Sequence, residues 1–526
     1  AQPRAEALAV KDGKILALGS RAELEKDYAG PATQKVDLAG KTLTPGFIDP
    51  HSHYFSALSV ANQVNLFPPP AGPGKDIPSI LAELKKFRDT RQIAPGVMIM
   101  AYGYDDTAMP GRVGLTRDDL DADFPDNPVM VTHVSMHGAV LNSLALKKYN
   151  ITAATKTPPG GIITRKPGSN EPAGLVMEMA YLPIFAALPK PTPAEELSWS
   201  RAAQQLYAQA GITTAHEGAT HASDLALMQR VSAAGGNQID IVAYPFITEL
   251  DAILKSNPPA SFGQYNNGLK LGGAKITIDG SVQGRTALFT TPYLVEGPNG
   301  EKPWKGVAPF TQQQLNQMVK QVYDLGLPLD LHANGDGAID MLLAAHEFAA
   351  AGDLEKERHV TAVHSQFVRR DQLDKYRKYK ITPSFFTQHT YFFADTHLVL
   401  RGKQQTDFIS PMRTAIDMGL RPSNHTDFVV TPLDQLFVLW TAVNRISRNG
   451  VLIGGDERIT PLEALEAITL SAARQHGDEQ TKGSLEPGKL ADMVILSGNP
   501  LTVESMQIKD IKVLETFKEG RRIYPQ

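Results

Sequence analysis

Short apolar runs alternate with amphipathic helical stretches through the middle of this chain, whereas both ends read as strand–turn–strand. Near the start, Ala7-Leu8-Ala9-Val10 and Ile15-Leu16-Ala17-Leu18 flank Asp12-Gly13, a two-residue turn signal that predicts a hairpin. Val36–Leu43 reads as a second hairpin. Ala491–Leu496 and Val513–Tyr524 repeat the strand pattern at the far end, so the two ends are expected to pair into one small β-sandwich domain, residues 1–45 with 484–526. Between them, at 46–483, apolar runs ending near His51, His216, Tyr244, Ile278, His332, His364, Pro383 and Asn424 predict eight parallel strands of a (β/α)8, TIM-like barrel. One crossover is too long for a simple connection. The stretch at about 59–197 holds Pro68-Pro69-Pro70 and the strand-like runs Val97–Met100 and Val129–Thr132, and it is read as an inserted α/β subdomain over the barrel mouth.

Bulk composition narrows the partners. With 526 residues, 42% hydrophobic and 21% charged, the chain is long enough for a large barrel with additions. The 52 basic and 56 acidic residues are interspersed and give a net charge of −4, which points to neither nucleic acid nor a membrane surface. No apolar stretch approaches the ~20 residues of a membrane span. Cysteine is absent, which excludes disulfides, thiolate catalysis and zinc–cysteine sites, so any metal must be held by nitrogen and oxygen. The start at Ala1-Gln2-Pro3, without an initiator Met, suggests that a signal peptide or first strand was removed upstream. Cytoplasm and periplasm both suit such a chain.

The predicted strand ends carry metal-ligand types in the order His-x-His, Lys, His, His, Asp: His51 and His53, Lys275, His332, His364 and Asp427. Residues two apart in a strand face the same way, so His51 and His53 can reach one ion. Alone the pair is weak, since 14 His in 526 residues supply roughly 0.4 such pairs by chance. Lys275, inside Gly273-Ala274-Lys275-Ile276-Thr277-Ile278, is either a lysine reaching out along the barrel end or a buried amine neutralised and converted by carbon dioxide to a carbamate, whose two oxygens can bridge two cations. His332 and His364 taken singly read as rim histidines and Asp427 as a helix cap. Together, five of eight strands end in a ligand type, at the face of a β/α barrel where active sites occur. Joint coincidence is the poorer explanation.

These residues resemble the amidohydrolase superfamily, and within it the amidohydrolase-3 group that includes N-substituted formamide deformylase-like proteins. The likeness runs from the opening hairpin through Pro45–His53, His137–Leu146, Lys275–Ala287 and His425-Thr426-Asp427 to Lys482–Asp492. One departure is Ser135-Met136 before His137, where the group commonly shows Asp-Gly. The resemblance implies a mono- or binuclear zinc site, with His51 and His53 on a more buried Zn2+ and His332 and His364 on a more exposed one. Carbamylated Lys275 would bridge the ions, and Asp427 would be ligand and catalytic base. It implies hydrolysis of a non-peptide amide C–N bond in a small N-acyl or N-formyl substrate. Lactam or ester hydrolysis and deamination share the fold; deaminases of the superfamily usually lack the bridging lysine, which argues against that branch. A catalytically silent binding protein would have lost ligands, and none is missing. Similar proteins are commonly homodimers. His137, Ser281, Arg285 and His389 are candidates for gripping substrate, the last beside the aromatic run Phe385-Phe386 and Tyr391-Phe392-Phe393.

Overall fold

The computed structural model describes residues 4–134, 138–158, 161–181, 183–184, 187–188, 191–297 and 300–525. The chain forms two compact units, one of Ala1–Phe55 with Gln204–Gln526 and one of Ser56–Ala203.

In the first unit, eight parallel strands arise from the apolar runs: β1 (Phe47–Ile48), β2 (Ile212–Thr220), β3 (Asp240–Pro245), β4 (Ala274–Thr277), β5 (Leu329–Ala333), β6 (Val360–His364), β7 (Ile381–Phe385) and β8 (Ser423–Asn424). They lie in two five-stranded sheets, one running β4 to β8 in sequence order, the other joining β1, β2 and β3 to the small hairpin Tyr265–Asn266 and Leu269–Leu271. At one seam Phe246, just past β3, bridges Lys275 in parallel. At the other, Asp427 N–H donates to the His51 carbonyl at 3.0 Å and His53 N–H to the Phe428 carbonyl at 2.7 Å. The result is a distorted TIM-barrel-like fold. β3 and β6 are buried along their whole length, which is why their sequences are near-continuous apolar runs rather than alternating ones. Helices such as Ala222–Ala233, Gln312–Asp324, Asp336–Ala349 and Arg370–Tyr379 connect successive strands. Thr311 opens the second of these through a reciprocal cap with Gln314.

The chain ends meet in the same unit. An antiparallel sheet orders Arg521–Tyr524, Val513–Lys518, Met493–Leu496 and Thr42–Pro45, so the first and last segments of the chain share a ladder. The hairpin Ala7–Lys11 with Lys14–Gly19 turns at Asp12-Gly13, both at positive φ (51° and 76°). It joins the C-terminal segment through Ile15 N–H to the Lys489 carbonyl and Ala491 N–H to the Gly13 carbonyl, around an apolar cluster of Ile15, Ala491, Met493, Leu43 and Phe517. The expected second hairpin does not form. Val36 is 73% exposed, and a turn at Ala39-Gly40 (φ 48° and 80°) feeds Thr42–Pro45 into the ladder with Met493–Leu496 instead. A run with so little buried apolar surface cannot hold a strand pair by itself.

A buried charge cluster supports the N-terminal ends of the early barrel strands. Asp240, at the start of β3, accepts from Lys482 Nζ and lies 3.0 Å from Lys518 Nζ, which also meets Asp492 at 3.1 Å. All four residues are buried. Removing Asp240 leaves two ammonium groups short of a partner, and breaking a buried pair in this way costs about 3–5 kcal/mol. Asp240→Ala is therefore expected to destabilise by that amount in chemical denaturation, and a change below about 1 kcal/mol, the range of an exposed pair, would contradict it.

The second unit is built on one six-stranded sheet in the order Val64–Asn65, Ile99–Tyr104, Val129–His133, Gly138–Leu141, Pro172–Glu178 and Gly161–Arg165. Its first three strands are parallel and the others antiparallel. Helices Ile77–Thr90 and Arg117–Asp123 contribute Ile80, Leu84 and Leu120 to a core with Ile99, Val129 and Val131. Among the described residues no helix is long and apolar enough to cross a membrane.

Candidate metal centre

The C-terminal ends of the barrel strands bring four histidines, a lysine and an aspartate together. Just past β1, Asp49 is fully buried and accepts from the Thr426 N–H at 3.1 Å and the Thr426 hydroxyl, which ties the β1 and β8 ends to each other. Burial pushes the Asp49 carboxyl up to about 7, against the pull of those hydrogen bonds. The next residues, His51 and His53, place their rings 5.4 Å apart. A bare backbone on β2 makes room for His51: a Cβ at Gly218 would stand 2.4 Å from His51 Cε1 and 2.8 Å from Nδ1. Gly218→Ala is accordingly expected to displace the His51 ring and lose bound metal together with activity, while the melting temperature changes little. Full metal content in that variant would show that His51 is free to move.

Lys275, on β4, is 2% exposed, and its Nζ lies 3.4 Å from His51 Nε2. Loss of hydration drives its pKa down to about 8, although the carboxylates of Asp330, Asp427 and Glu217 act the other way. Pairing across β4 and β5 sets Lys275 opposite Asp330 and Thr277 opposite His332. On β6 the residue opposite His332 is Val363, so plain alternation would aim His364 away. A left-handed backbone at His364 (φ 68°) changes that direction, and the rings of His332 and His364 stand 4.6 Å apart. Asp427, past β8, is left-handed as well (φ 53°). Such backbone in non-glycine residues costs on the order of 1–3 kcal/mol each. Its presence at two ligand candidates fits a site held in a fixed shape.

Asp427 is the hub of the group. Its Oδ1 is 3.3 Å from His53 Nε2 and 3.5 Å from His51 Nε2, and its Oδ2 is 4.0 Å from His364 Nε2. Burial disfavours its charge, but His53, His425 and Lys275 outweigh that and hold its pKa below the usual carboxylate value. For His53, burial opposes protonation and is outweighed by Asp427 and Glu217, so its pKa rises. His51 and His364 are held well below the ordinary imidazole value, first by burial and then by neighbouring cationic groups.

Three further residues belong to this cluster that the sequence reading left without a role. His216 on β2 has its ring 5.1 Å from that of His51, and its Nε2 is 3.2 Å from Asp330 Oδ2. His425 Nε2 lies 3.0 Å from His364 Nδ1. Asp330 stands two before His332 and His425 two before Asp427, so the strand alternation that singled out the ligand candidates also placed these residues on the same face. Among the four proposed substrate contacts, His389 is buried with its ring 6.3 Å from that of His364. Ser281 Oγ accepts from the Gly284 N–H at 3.1 Å, and Arg285 Nη1 donates to the Glu296 and Gly297 carbonyls at 2.9 and 3.2 Å, so both brace the loop after β4. His137 lies outside the described residues.

The donor set fits divalent cations. Buried polar atoms without a hydrogen bond each cost about 1–3 kcal/mol, so proteins rarely gather them. Here His51 Nδ1, His332 Nδ1, Asp427 Oδ1, both ring nitrogens of His216 and both Asp330 oxygens are buried without one. His51, His364 and Asp427 each offer a donor atom within 4.8 Å of the others, as do His51, His216 and Asp330. Nitrogen and carboxylate donors at such spacing suit zinc and similar ions.

A family model described as the amidohydrolase family matches residues 34–524. The chain belongs to the amidohydrolase family. It is an enzyme, a hydrolase acting on carbon–nitrogen bonds. The amidohydrolase is 27% identical to the putative amidohydrolase YtcJ of Bacillus subtilis over 99% of this chain and 96% of that protein. It is 26% identical to the N-substituted formamide deformylase of Arthrobacter pascens, covering 98% and 94%. Its fold matches an uncharacterized metal-dependent hydrolase from Pyrococcus horikoshii OT3 with a TM-score of 0.72 at 24% identity, over 95% of this chain and 94% of that one.

Proposed function

We propose that this amidohydrolase cleaves the amide C–N bond of a small N-acyl or N-formyl compound at a centre of two divalent cations, zinc by preference. His51 and His53 would hold the more buried ion and His332 and His364 the more exposed one, with Lys275 as a bridging carbamate and Asp427 as ligand and base. The observation that carries this reading is Lys275 itself: a fully buried amine 3.4 Å from His51 Nε2, with its pKa near 8 and no apolar reason to be there. A neutral amine is what carbon dioxide adds to, and the product is an anion with two oxygen donors. When bound, the cations would lower the pKa of a water toward ~7 and polarise the substrate carbonyl.

The protein's own groups do the rest. Asp427 sits where it can accept a proton and return it to the leaving nitrogen, which departs as an amine only when protonated. Its buried surroundings keep bulk water from competing for that proton. His389, beside Phe386 and Phe393 with ring distances of 4.1 and 5.6 Å, gives the region next to His364 a largely aromatic wall with one unpartnered ring nitrogen, suited to an apolar substrate end. Similarity to a protein named N-substituted formamide deformylase favours N-formyl amines among the candidates.

The test is a panel of N-formyl amines, N-acyl amines, lactams, esters and aminopurines, offered to zinc-loaded protein whose metal content has been measured. Turnover of an N-formyl or N-acyl amine with close to two ions per chain supports the reading. Turnover confined to lactams, esters or aminopurines overturns the substrate class, and protein that takes up no divalent metal overturns the chemistry.

A further inference from the structure

We infer that His425 is a positioning residue that fixes the tautomer of His364, through a one-way chain of hydrogen bonds ending on the carbonyl of Pro50. The inference rests on the reading of His364 as a metal ligand. The chain is continuous in the structure. His364 Nδ1 is 3.0 Å from His425 Nε2, and His425 Nδ1 is 3.0 Å from Ser384 Oγ. The hydroxyls of Ser384 and Ser423, paired across β7 and β8, are 2.8 Å apart. Ser423 Oγ is 2.6 Å from Gln475 Oε1, and Gln475 Nε2 donates to the Pro50 carbonyl at 2.8 Å. All five side chains are buried, so water cannot take over any link.

Proton bookkeeping along this chain leaves one solution. The Pro50 carbonyl has no proton to give, so Gln475 must turn its NH2 toward it and its oxygen toward Ser423. Ser423 Oγ is placed to donate both to Gln475 Oε1 at 2.6 Å and to Ser384 Oγ at 2.8 Å but has one proton. Gln475 Oε1 has none to offer and takes the shorter bond, so the contact between the two hydroxyls is a hydrogen bond only with Ser384 as its donor. Ser384 in turn must accept from His425 Nδ1, which leaves His425 Nε2 as an acceptor when the ring is neutral. His364 therefore donates from Nδ1, and its free lone pair is on Nε2, the nitrogen that faces Asp427. A carbonyl next to His51 thus dictates which nitrogen of His364 is presented to a cation. Metal-binding histidines ordinarily have their second nitrogen anchored to a carboxylate or a backbone carbonyl; here a second histidine and two serines carry that anchor across the barrel.

The tautomer can be read without metal, from nitrogen chemical shifts of metal-free protein labelled with 15N-histidine, and zinc affinity can be measured beside it. In the unsubstituted protein His364 should carry its proton on Nδ1 alone. His425→Phe keeps the ring volume but cannot accept; it should give mixed tautomers at His364 and weaken zinc binding by about 10–100-fold. His425→Gln, which can accept at one end and donate at the other, should keep the tautomer and most of the affinity. If His425→Phe does not fold, Gln475→Leu, which cuts the chain at its far end, should give the same mixing. A proton on His364 Nε2 in the unsubstituted protein, or an unchanged tautomer in a folded His425→Phe or Gln475→Leu, overturns the inference. A fixed Nδ1 tautomer in protein that binds no zinc would uphold it and sink the metal assignment instead.

Discussion

Lys275→Ala is expected to abolish turnover and lower the bound metal from about two ions to one or fewer. If the carbamate bridges the cations, its loss removes two anionic donors at once, and each metal contributes several kcal/mol of transition-state charge stabilisation. A loss on the order of 4 kcal/mol corresponds to about 10³-fold in kcat/KM. The structure makes this a sharper test than it would be for an exposed lysine. Lys275 is buried on β4 opposite Asp330 and is 3.4 Å from His51 Nε2, so its removal acts inside the cluster and not on a solvent-facing side chain. Arginine in its place should fail equally, because a guanidinium stays cationic and cannot form a carbamate. Protein stripped of metal and kept free of carbon dioxide should regain activity with zinc only after bicarbonate is added. Metal content and activity close to those of the unsubstituted protein in Lys275→Ala would end the bridging assignment.

Much of this could be read from the chain because a parallel barrel converts linear order into position. Each buried strand announces itself as an apolar run, and the residues at its C-terminal end gather at the common rim, although His364 needs a left-handed backbone to turn its ring toward the cluster. That logic located β1 to β8 and brought His51, His53, Lys275, His332, His364 and Asp427 into one cluster. It was silent wherever meaning depends on a partner far away in sequence. His216 and Asp330 acquire interest only because β2 and β5 face each other across the barrel interior, and His425 only because Ser384 lies opposite Ser423. Arg285 illustrates the converse. A cation after a barrel strand reads as a substrate grip, yet two carbonyls of its own loop occupy one arm of its guanidinium. Val36–Leu43 shows that turn chemistry alone does not make a hairpin, since the buried surface that would hold it belongs to the C-terminal strand.

Asp427→Asn is expected to lower kcat by about 10²–10⁴-fold, the span that a positioned acid–base group contributes, with KM changed much less. Asparagine keeps the shape and one oxygen donor, so the left-handed turn at φ 53° and the approach to His51 and His53 at 3.5 and 3.3 Å are preserved. What disappears is the ability to take a proton and hand it to the leaving nitrogen. The deficit should therefore be largest for amides of strongly basic amines, whose expulsion most needs that proton, and smaller for activated esters, whose leaving oxygen departs unaided. This pattern separates base chemistry from simple loss of a ligand, which would depress all substrates alike and appear as missing metal. A folded, metal-replete Asp427→Asn that turns over amides within about threefold of the unsubstituted protein, far inside the range expected of a catalytic base, would move that role elsewhere. Glu217 is the first place to look, since it is buried and hydrogen-bonded by the Phe55 and Ala219 N–H groups, and burial raises its pKa.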